Sequence, residues 1–178
     1  MDPINLLFLV NLIVLFSASF GSAKGSLKSG ISSVVQRPVT WLQKIPPNIL
    51  ALVTLLQIAG VFGFAVHTTF VSEEYLVPRV ILLLLYFLFS WLQVLAVKNL
   101  GTNYSQDIVI LKGHQLVKKG LYRFMNHPQY LFQLLADLTA GLVLASYPVL
   151  FITLFISLPV LVLRAKAENR LLAGYFRR

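Results

Sequence analysis

The amino-acid sequence predicts an all-α integral membrane protein with about five transmembrane helices. A structured cytoplasmic loop is predicted between helices three and four, and a cytoplasmic helical extension at the carboxyl terminus. Three observations lead to this fold class. The 178 residues are 57% hydrophobic and 12% charged, long apolar stretches recur, and basic connectors alternate with connectors poor in basic residues. This apolar surface exceeds what the core of one globular domain can bury.

Five apolar segments are predicted to cross the membrane, at residues 4–20, 49–70, 77–97, 131–145 and 149–163. A hydrocarbon core ~30 Å thick needs about 20 apolar residues per helix, and fewer where the bilayer thins. The last two segments are separated by Ser146, Tyr147 and Pro148. Because proline fits the first turn of a helix but not its interior, these residues predict a tight helical hairpin.

The first apolar segment is interpreted as a retained transmembrane helix. It is followed by small residues, as a signal peptide would be, but Met1-Asp2-Pro3 lacks the positive charge that precedes the apolar core of a signal peptide.

The distribution of basic residues predicts the orientation in the membrane. Lysine and arginine are concentrated after the first, third and fifth segments. The connector after the second holds Glu73, Glu74 and Arg79, and the one after the fourth has no charge. The positive-inside rule then places the amino terminus outside and the carboxyl terminus and the long loop in the cytoplasm.

The composition also excludes several classes of function. The net charge of +9 is explained by basic helix ends that meet anionic lipid headgroups, and no groove with base-stacking aromatics is predicted, so nucleic acid is not an expected partner. The absence of cysteine excludes disulfides, thiolate metal sites and cysteine nucleophiles.

The connector at residues 98–129 is too long to be a simple link and is expected to be functional. Its "DIVIL" has the composition of a short strand, and "LVKKGLYRFM" mixes apolar and basic residues as an interfacial segment does. Gly113 and Gly120 permit unusual backbone angles, and Pro128 disfavours helix at His127. The loop is therefore predicted to fold against the cytoplasmic helix ends.

Several residues have both a structural and a functional interpretation. Tyr122 and Tyr130 fit either an interfacial aromatic belt or a binding site. His114 and His127 have no further ligand at metal-binding spacing, so no metal site is predicted. Asp137 lies inside helix four, and its carboxylate is either functional or hydrogen-bonded to a neighbouring helix.

Arg164 and Glu168 fall four residues apart, on one face of helix five if that helix continues past the membrane surface. The pair is either a surface ion pair or a cation and an anion that face the long loop and hold a charged small molecule.

Three stretches between Leu100 and Phe176 together resemble the carboxyl-terminal half of the isoprenylcysteine carboxyl methyltransferase family. They are "LGTNYS", "GHQLVKKGLYRFMNHPQY" and "RAKAENRLL". The family pattern is His-x-Leu-Val, Gly-x-Tyr, Arg-His-Pro-x-Tyr and a later Arg followed by Glu-Glu. Asn126 and Asn169 depart from it, standing where Arg and the second Glu are usual.

The resemblance implies a single membrane methyltransferase domain over residues 1–178. Residues 1–97 would form helices one to three, residues 98–129 the cofactor loop, and residues 130–178 the hairpin and tail. It implies S-adenosylmethionine as cofactor and a lipophilic acceptor that enters from the bilayer, with a carboxylate of isoprenylcysteine type as the expected acceptor. Arg164 would orient the substrate. The implied cofactor contacts are His114, Gln115, Leu116, Val117, Tyr122, His127, Pro128, Gln129, Tyr130 and Glu168.

Other functions stay open at this point. The acceptor is alternatively a phospholipid amine or a small lipophilic thiol or acid. A nicotinamide-dependent membrane sterol reductase shares the His-Pro-x-Tyr element, although the sequence has no additional phosphate-binding cluster. A non-catalytic lipid-binding protein would need only the basic cytoplasmic face.

Overall fold

The computed structural model describes residues 2–30, 34–67, 70 and 72–176. The helices are α1 (Pro3–Gly30), α2 (Ile45–Val61), α3 (Leu76–Leu100), α4 (Pro128–Val143), α5 (Tyr147–Ile152) and α6 (Leu158–Phe176). A π-helical segment, Thr153–Ser157, joins α5 and α6 into one continuous helix. Two short strands, β1 (Val34–Gln36) and β2 (Ile110–Leu111), pair antiparallel with Val34 opposite Leu111.

These elements confirm the all-α membrane fold class. Among the described residues, three helices are long and apolar enough to cross a membrane, namely Trp41–Val61, Glu73–Leu100 and Tyr147–Phe176. The apolar part of α1, Pro3–Ala18, is shorter. Helix α4 has 16 residues, about 24 Å of rise, and so would span only a thinned bilayer.

The predicted bounds of the second segment, residues 49–70, are wrong at both ends. Helix α2 begins at Ile45, because Pro46 and Pro47 occupy first-turn positions that need no backbone donor. It ends at Val61, and the positive φ angles of Gly63 and Ala65 then turn the chain. Predicted positions 68 and 69 lie outside the described residues.

Two other helices are longer than predicted. Helix α1 continues to Gly30 instead of ending at residue 20, so most of the predicted polar linker is helical; residues 31–33 of that linker lie outside the described ranges. The last helix continues through Leu163 to Phe176, and it therefore places Glu168 on the same helix as Arg164.

The predicted hairpin is present, with its turn at residues 144–146. The amide of Ser146 donates to the carbonyl of Gly141 at 2.9 Å, and Ala145 takes a positive φ of 50°. Pro148 lies in the first turn of α5. The hairpin sets α4 antiparallel to the long helix.

The core lies where α3 packs against α4 and α1 packs against α3. Phe8 of α1 stacks on Tyr86 of α3 with ring centroids 4.3 Å apart, and both side chains are buried. Ala140 and Val143 of α4 complete this core. Many large apolar side chains elsewhere on the helices are exposed, as expected for surfaces that face lipid.

Arg79 is buried within α3, although the sequence placed it in an outer connector. Its guanidinium lies 2.7 Å from the Asp2 carboxylate and donates to the Asn5 side chain and the Val143 carbonyl, each at 3.2 Å. One cation therefore ties α3 to the start of α1 and the end of α4.

Helices α4 and α5 approach closely at Gly141, so this position has no room for a side chain. A Cβ atom there would lie 2.7 Å from Leu150 Cδ2 and 2.9 Å from its Cγ. We expect Gly141→Val to lower the free energy of unfolding by about 2 kcal/mol through overpacking, measured as a fall in Tm in detergent. Gly174→Val is the matched control, because a Cβ at Gly174 meets nothing within 4 Å. Equal Tm changes for both variants would contradict this packing.

Candidate functional site

The loop between α3 and α4 is held in place by the strand pair and by two glycines. Ile110 and Leu111 of β2 are buried, which confirms the strand predicted for "DIVIL"; the sequence did not identify its partner, β1. Gly120 has a φ of +56°, and a Cβ there would lie 2.4 Å from the Asn99 side chain. Gly113 also has a positive φ. The loop thus takes a specific path at both glycines, as predicted.

This loop, the start of α4 and the carboxyl-terminal part of α6 surround a cavity of about 550 Å³, within the size range typical of small-molecule sites. Its lining mixes polar, aromatic and apolar side chains. The residues are Leu100, Asn103, Ser105, Asp107, Ile108, Val109, His114, Gln115, Leu116, Val117, Lys118, Tyr122, Arg123, Asn126, His127, Gln129, Tyr130, Glu168, Asn169, Leu171 and Leu172.

The centre of the site is a hydrogen-bonded group of Tyr130, Arg164 and Glu168. The Tyr130 hydroxyl donates a hydrogen bond to Glu168 Oε1 and accepts one from Arg164 Nε at 2.7 Å. Arg164 Nε also lies 3.2 Å from Glu168 Oε1, and its Nη2 donates to the Gln106 carbonyl. The side chain of Arg164 is 6% exposed and that of Glu168 is 22% exposed. The carboxylate therefore reaches the cavity while the guanidinium lies behind it.

His127 forms a second contact between the loop and α6. Its Nε2 lies 2.9 Å from Asn169 Oδ1, its Nδ1 lies 3.5 Å from Glu168 Oε2, and its ring stacks on that of Tyr130 at 5.5 Å. A carboxylate at position 169 would place the imidazole between two negative charges. Asn169 instead forms this contact without adding charge, which gives a structural role to one departure from the family pattern; nothing in the structure explains Asn126.

The structure brings most of the predicted cofactor contacts to this one cavity. His114, Gln115, Leu116, Val117, Tyr122, His127, Gln129, Tyr130 and Glu168 all line it. Two of the predicted site residues do not line the cavity. Pro128 is buried at the start of α4. Arg164 contacts Tyr130, Glu168 and the Gln106 carbonyl instead.

Sequence reasoning missed several lining residues. Leu171 and Leu172 fall three and four residues after Glu168, so helical periodicity would have identified them. Asn103 accepts from the backbone amide of Gln115 at 3.0 Å, and Asp107 pairs with Arg37 from the connector that follows β1. These two contacts depend on loop folding and carried no local sequence signal.

Burial favours the uncharged form of three side chains of the loop, Tyr104, Tyr122 and His114. It raises the pKa of the Tyr104 and Tyr122 hydroxyls above their usual value of 10.0, and the nearby Glu168 carboxylate adds to both increases. Burial also lowers the pKa of His114 below its usual 6.5. The Nδ1 of His114 is buried with no hydrogen-bond partner among the described residues, so a polar group of a bound ligand would satisfy it.

Asp137 does not belong to this cavity. Its Oδ1 accepts a hydrogen bond from Gln57 Nε2 of α2 at 2.8 Å. Of the two interpretations that the sequence left open, the bond to a neighbouring helix is the one that the structure shows.

Comparison with known proteins gives two matches. The family model described as "Isoprenylcysteine carboxyl methyltransferase (ICMT) family" matches residues 80–174, which is more than half of the chain. The "Uncharacterized protein YpbQ" of Bacillus subtilis (strain 168) is 31% identical over 80 residues, covering 45% of this chain and 48% of that protein. The chain thus matches about half the length of this curated relative.

The contacts of Arg164 predict that lysine cannot replace it. A lysine ammonium cannot reach Tyr130, Glu168 and the Gln106 carbonyl together as the guanidinium does. We expect Arg164→Lys to lower the free energy of unfolding by about 2 kcal/mol, measured by thermal unfolding in detergent. Arg170→Lys, at an exposed position of the same helix, is the control and should be nearly neutral. A neutral Arg164→Lys would argue against the contacts described.

The lowered pKa of His114 predicts a dependence of stability on pH. Below about pH 6.5 the unfolded chain takes up a proton at this histidine while the folded chain resists it, so stability falls as the pH falls. We expect the decrease in Tm between pH 7.5 and pH 5.5 to be smaller for His114→Gln than for the wild type. An unchanged pH dependence in the variant would mean that His114 titrates alike in both states.

Proposed function

Because the chain belongs to the isoprenylcysteine carboxyl methyltransferase family, we propose that it is an integral membrane enzyme that uses S-adenosylmethionine to methylate a lipophilic acceptor. The expected acceptor is a carboxylate of isoprenylcysteine type. The observation that carries this proposal is the convergence of the loop, Tyr130 and Glu168 on one cavity that is large enough for a small molecule.

The side chains of the cavity fit S-adenosylmethionine. Glu168 is a partly exposed carboxylate, which suits the ammonium group or the ribose hydroxyls of the cofactor. The rings of Tyr122, His127 and Tyr130 are flat surfaces for the adenine or for the sulfonium charge. The unpartnered Nδ1 of His114 is a further group that the cofactor would satisfy.

The bound cofactor supplies a methyl group that is already activated by its positively charged sulfur. The task of the chain is then to align the acceptor with the methyl group and to exclude water. A carboxylate acceptor is nucleophilic without deprotonation, so no general base is required. The apolar side chains of Leu171 and Leu172 line part of the cavity, which suits the lipophilic chain of the acceptor.

The proposed role of Arg164 has two parts. Its contacts with Glu168 and Tyr130 hold the carboxylate that we assign to the cofactor, which makes it a positioning residue. Its positive charge also lies next to the site, where it would orient an acceptor carboxylate. We further propose that the site lies on the cytoplasmic side, which the charge pattern of the connectors favours.

The cofactor assignment predicts a specific loss of affinity. We expect Glu168→Gln to weaken the binding of S-adenosylmethionine and of its demethylated product at least tenfold, since hydrogen bonds to charged groups contribute about 1.5–3 kcal/mol. Isothermal titration calorimetry on the purified protein in detergent measures this. Glu74→Gln, which removes a carboxylate from the exposed 3₁₀ turn before α3, is the matched control. Unchanged affinity in Glu168→Gln would remove this residue from the cofactor site, and saturable binding of a nicotinamide cofactor instead would favour a reductase.

The acceptor class is tested by transfer of a labelled methyl group. Purified protein in lipid nanodiscs would be offered a prenylcysteine analogue, phosphatidylethanolamine, and lipophilic thiols and acids. We expect label in the prenylcysteine or acid carboxylates and none in the amine. Transfer to the amine or thiol would assign a different acceptor class, and no transfer to any member of the panel despite cofactor binding would argue against these acceptors.

A further inference from the structure

A second polar cluster lies inside the helix bundle, away from the cavity, where α2, α4 and the π segment pack together. It contains Gln57 of α2, Asp137 of α4, and Thr153 and Ser157 of the π segment. All four residues are more than nine-tenths buried; Asp137 is 7% exposed, Ser157 3% and Thr153 0%. Polar groups at such depth in a membrane protein are expensive and are expected to have a function.

Three oxygen atoms of this cluster have no hydrogen-bond partner among the described residues. They are Asp137 Oδ2, Thr153 Oγ1 and Ser157 Oγ. An unpartnered buried hydroxyl typically costs about 1–3 kcal/mol, and an unpartnered carboxylate oxygen costs more. Such groups are normally satisfied by a bound ion, water or ligand.

The register of the hairpin places Asp137, Thr153 and Ser157 at a similar height along the paired helices. Gly141 of α4 packs against Leu150 and Val149 of α5, and Tyr130 of α4 bonds to Arg164 of α6. Asp137 lies between Gly141 and Tyr130 along α4, and the π segment lies between the corresponding contacts on the antiparallel helix. Asp137 therefore lies at the same depth as the turn that carries Thr153 and Ser157.

The chemistry of the cluster favours a small monovalent cation. A carboxylate and hydroxyls are hard oxygen ligands, and the π segment displaces backbone carbonyls from the regular helical ladder, which frees them as further ligands. A monovalent cation would balance the charge of an ionised Asp137 carboxylate, which water would not. Asp137 is the acidic member of this cluster of four residues, so the charge to be balanced is that of one carboxylate.

We propose that Asp137, Thr153 and Ser157 form an intramembrane sodium site that joins α4 to the π segment. The bound ion neutralises the buried carboxylate and satisfies both hydroxyl oxygens, while Gln57 holds Oδ1 in place. Asp137 lies seven positions after Tyr130 on α4, which is about 10 Å along the helix. The proposed sodium site is therefore separate from the cavity, and the proposal does not depend on the proposed methyl transfer.

The test compares sodium chloride with N-methylglucamine chloride at equal ionic strength, using the full chain in detergent. We expect sodium to raise the Tm of the wild type by about 3 °C or more and ²²Na⁺ to bind saturably. Asp137→Asn should lose both effects. Equal Tm values in the two salts without saturable ²²Na⁺ binding, or sodium binding that persists in Asp137→Asn, would overturn the proposal.

A pair of threonine variants keeps the test decisive if Asp137→Asn does not fold. Thr153→Val removes an unpartnered hydroxyl of the proposed site, and we expect it to weaken ²²Na⁺ binding at least fivefold. Thr139→Val removes a buried hydroxyl of α4 that already donates to backbone carbonyls of its own helix, so it should leave sodium affinity unchanged. Equal sodium affinity in these two variants would overturn the assignment of Thr153.

Discussion

The arrangement of the half of the molecule that holds the cavity depends on one buried cation, the guanidinium of Arg164. It contacts α4 through Tyr130, its own helix through Glu168 and the long loop through the Gln106 carbonyl. Removing a guanidinium from water costs several kcal/mol unless its donors are satisfied. All three partners must therefore be in place together, and the cavity forms only when the loop, α4 and α6 meet at this point.

The same hairpin register serves two polar clusters at different depths. Gly141 lets α4 and α5 approach closely, and this contact determines which residues face one another further along the pair. Toward the cavity, Tyr130 reaches Arg164 and Glu168. Between these contacts, Asp137 is level with Thr153 and Ser157. A shift in this register would disrupt both clusters, so packing at a small residue controls polar chemistry well away from it.

How far the sequence predicts the molecule depends on how local the relevant interactions are. Hydropathy and charge predicted the membrane class, and the short loop at Pro148 predicted the hairpin. The end of α2 was mispredicted because residues after Val61 are as apolar as the helix, while the backbone at Gly63 and Ala65 turns away. The placement of Arg164 and Glu168 on one helical face followed from spacing alone. The cavity lining at Asn103 and Asp107 could not be predicted, because it depends on contacts between segments that are distant in sequence.

The strand pair has a consequence for how the molecule is divided. Residues 80–174 match the family model, but β2 within that region takes its hydrogen-bonding partner from β1, at residues 34–36. Asp107 likewise takes its cation from Arg37. Residues 34–37 therefore support the loop that lines the cavity. A fragment cut at the family boundary would leave β2 with an unpaired edge, so the region that matches the family model depends structurally on residues that precede it.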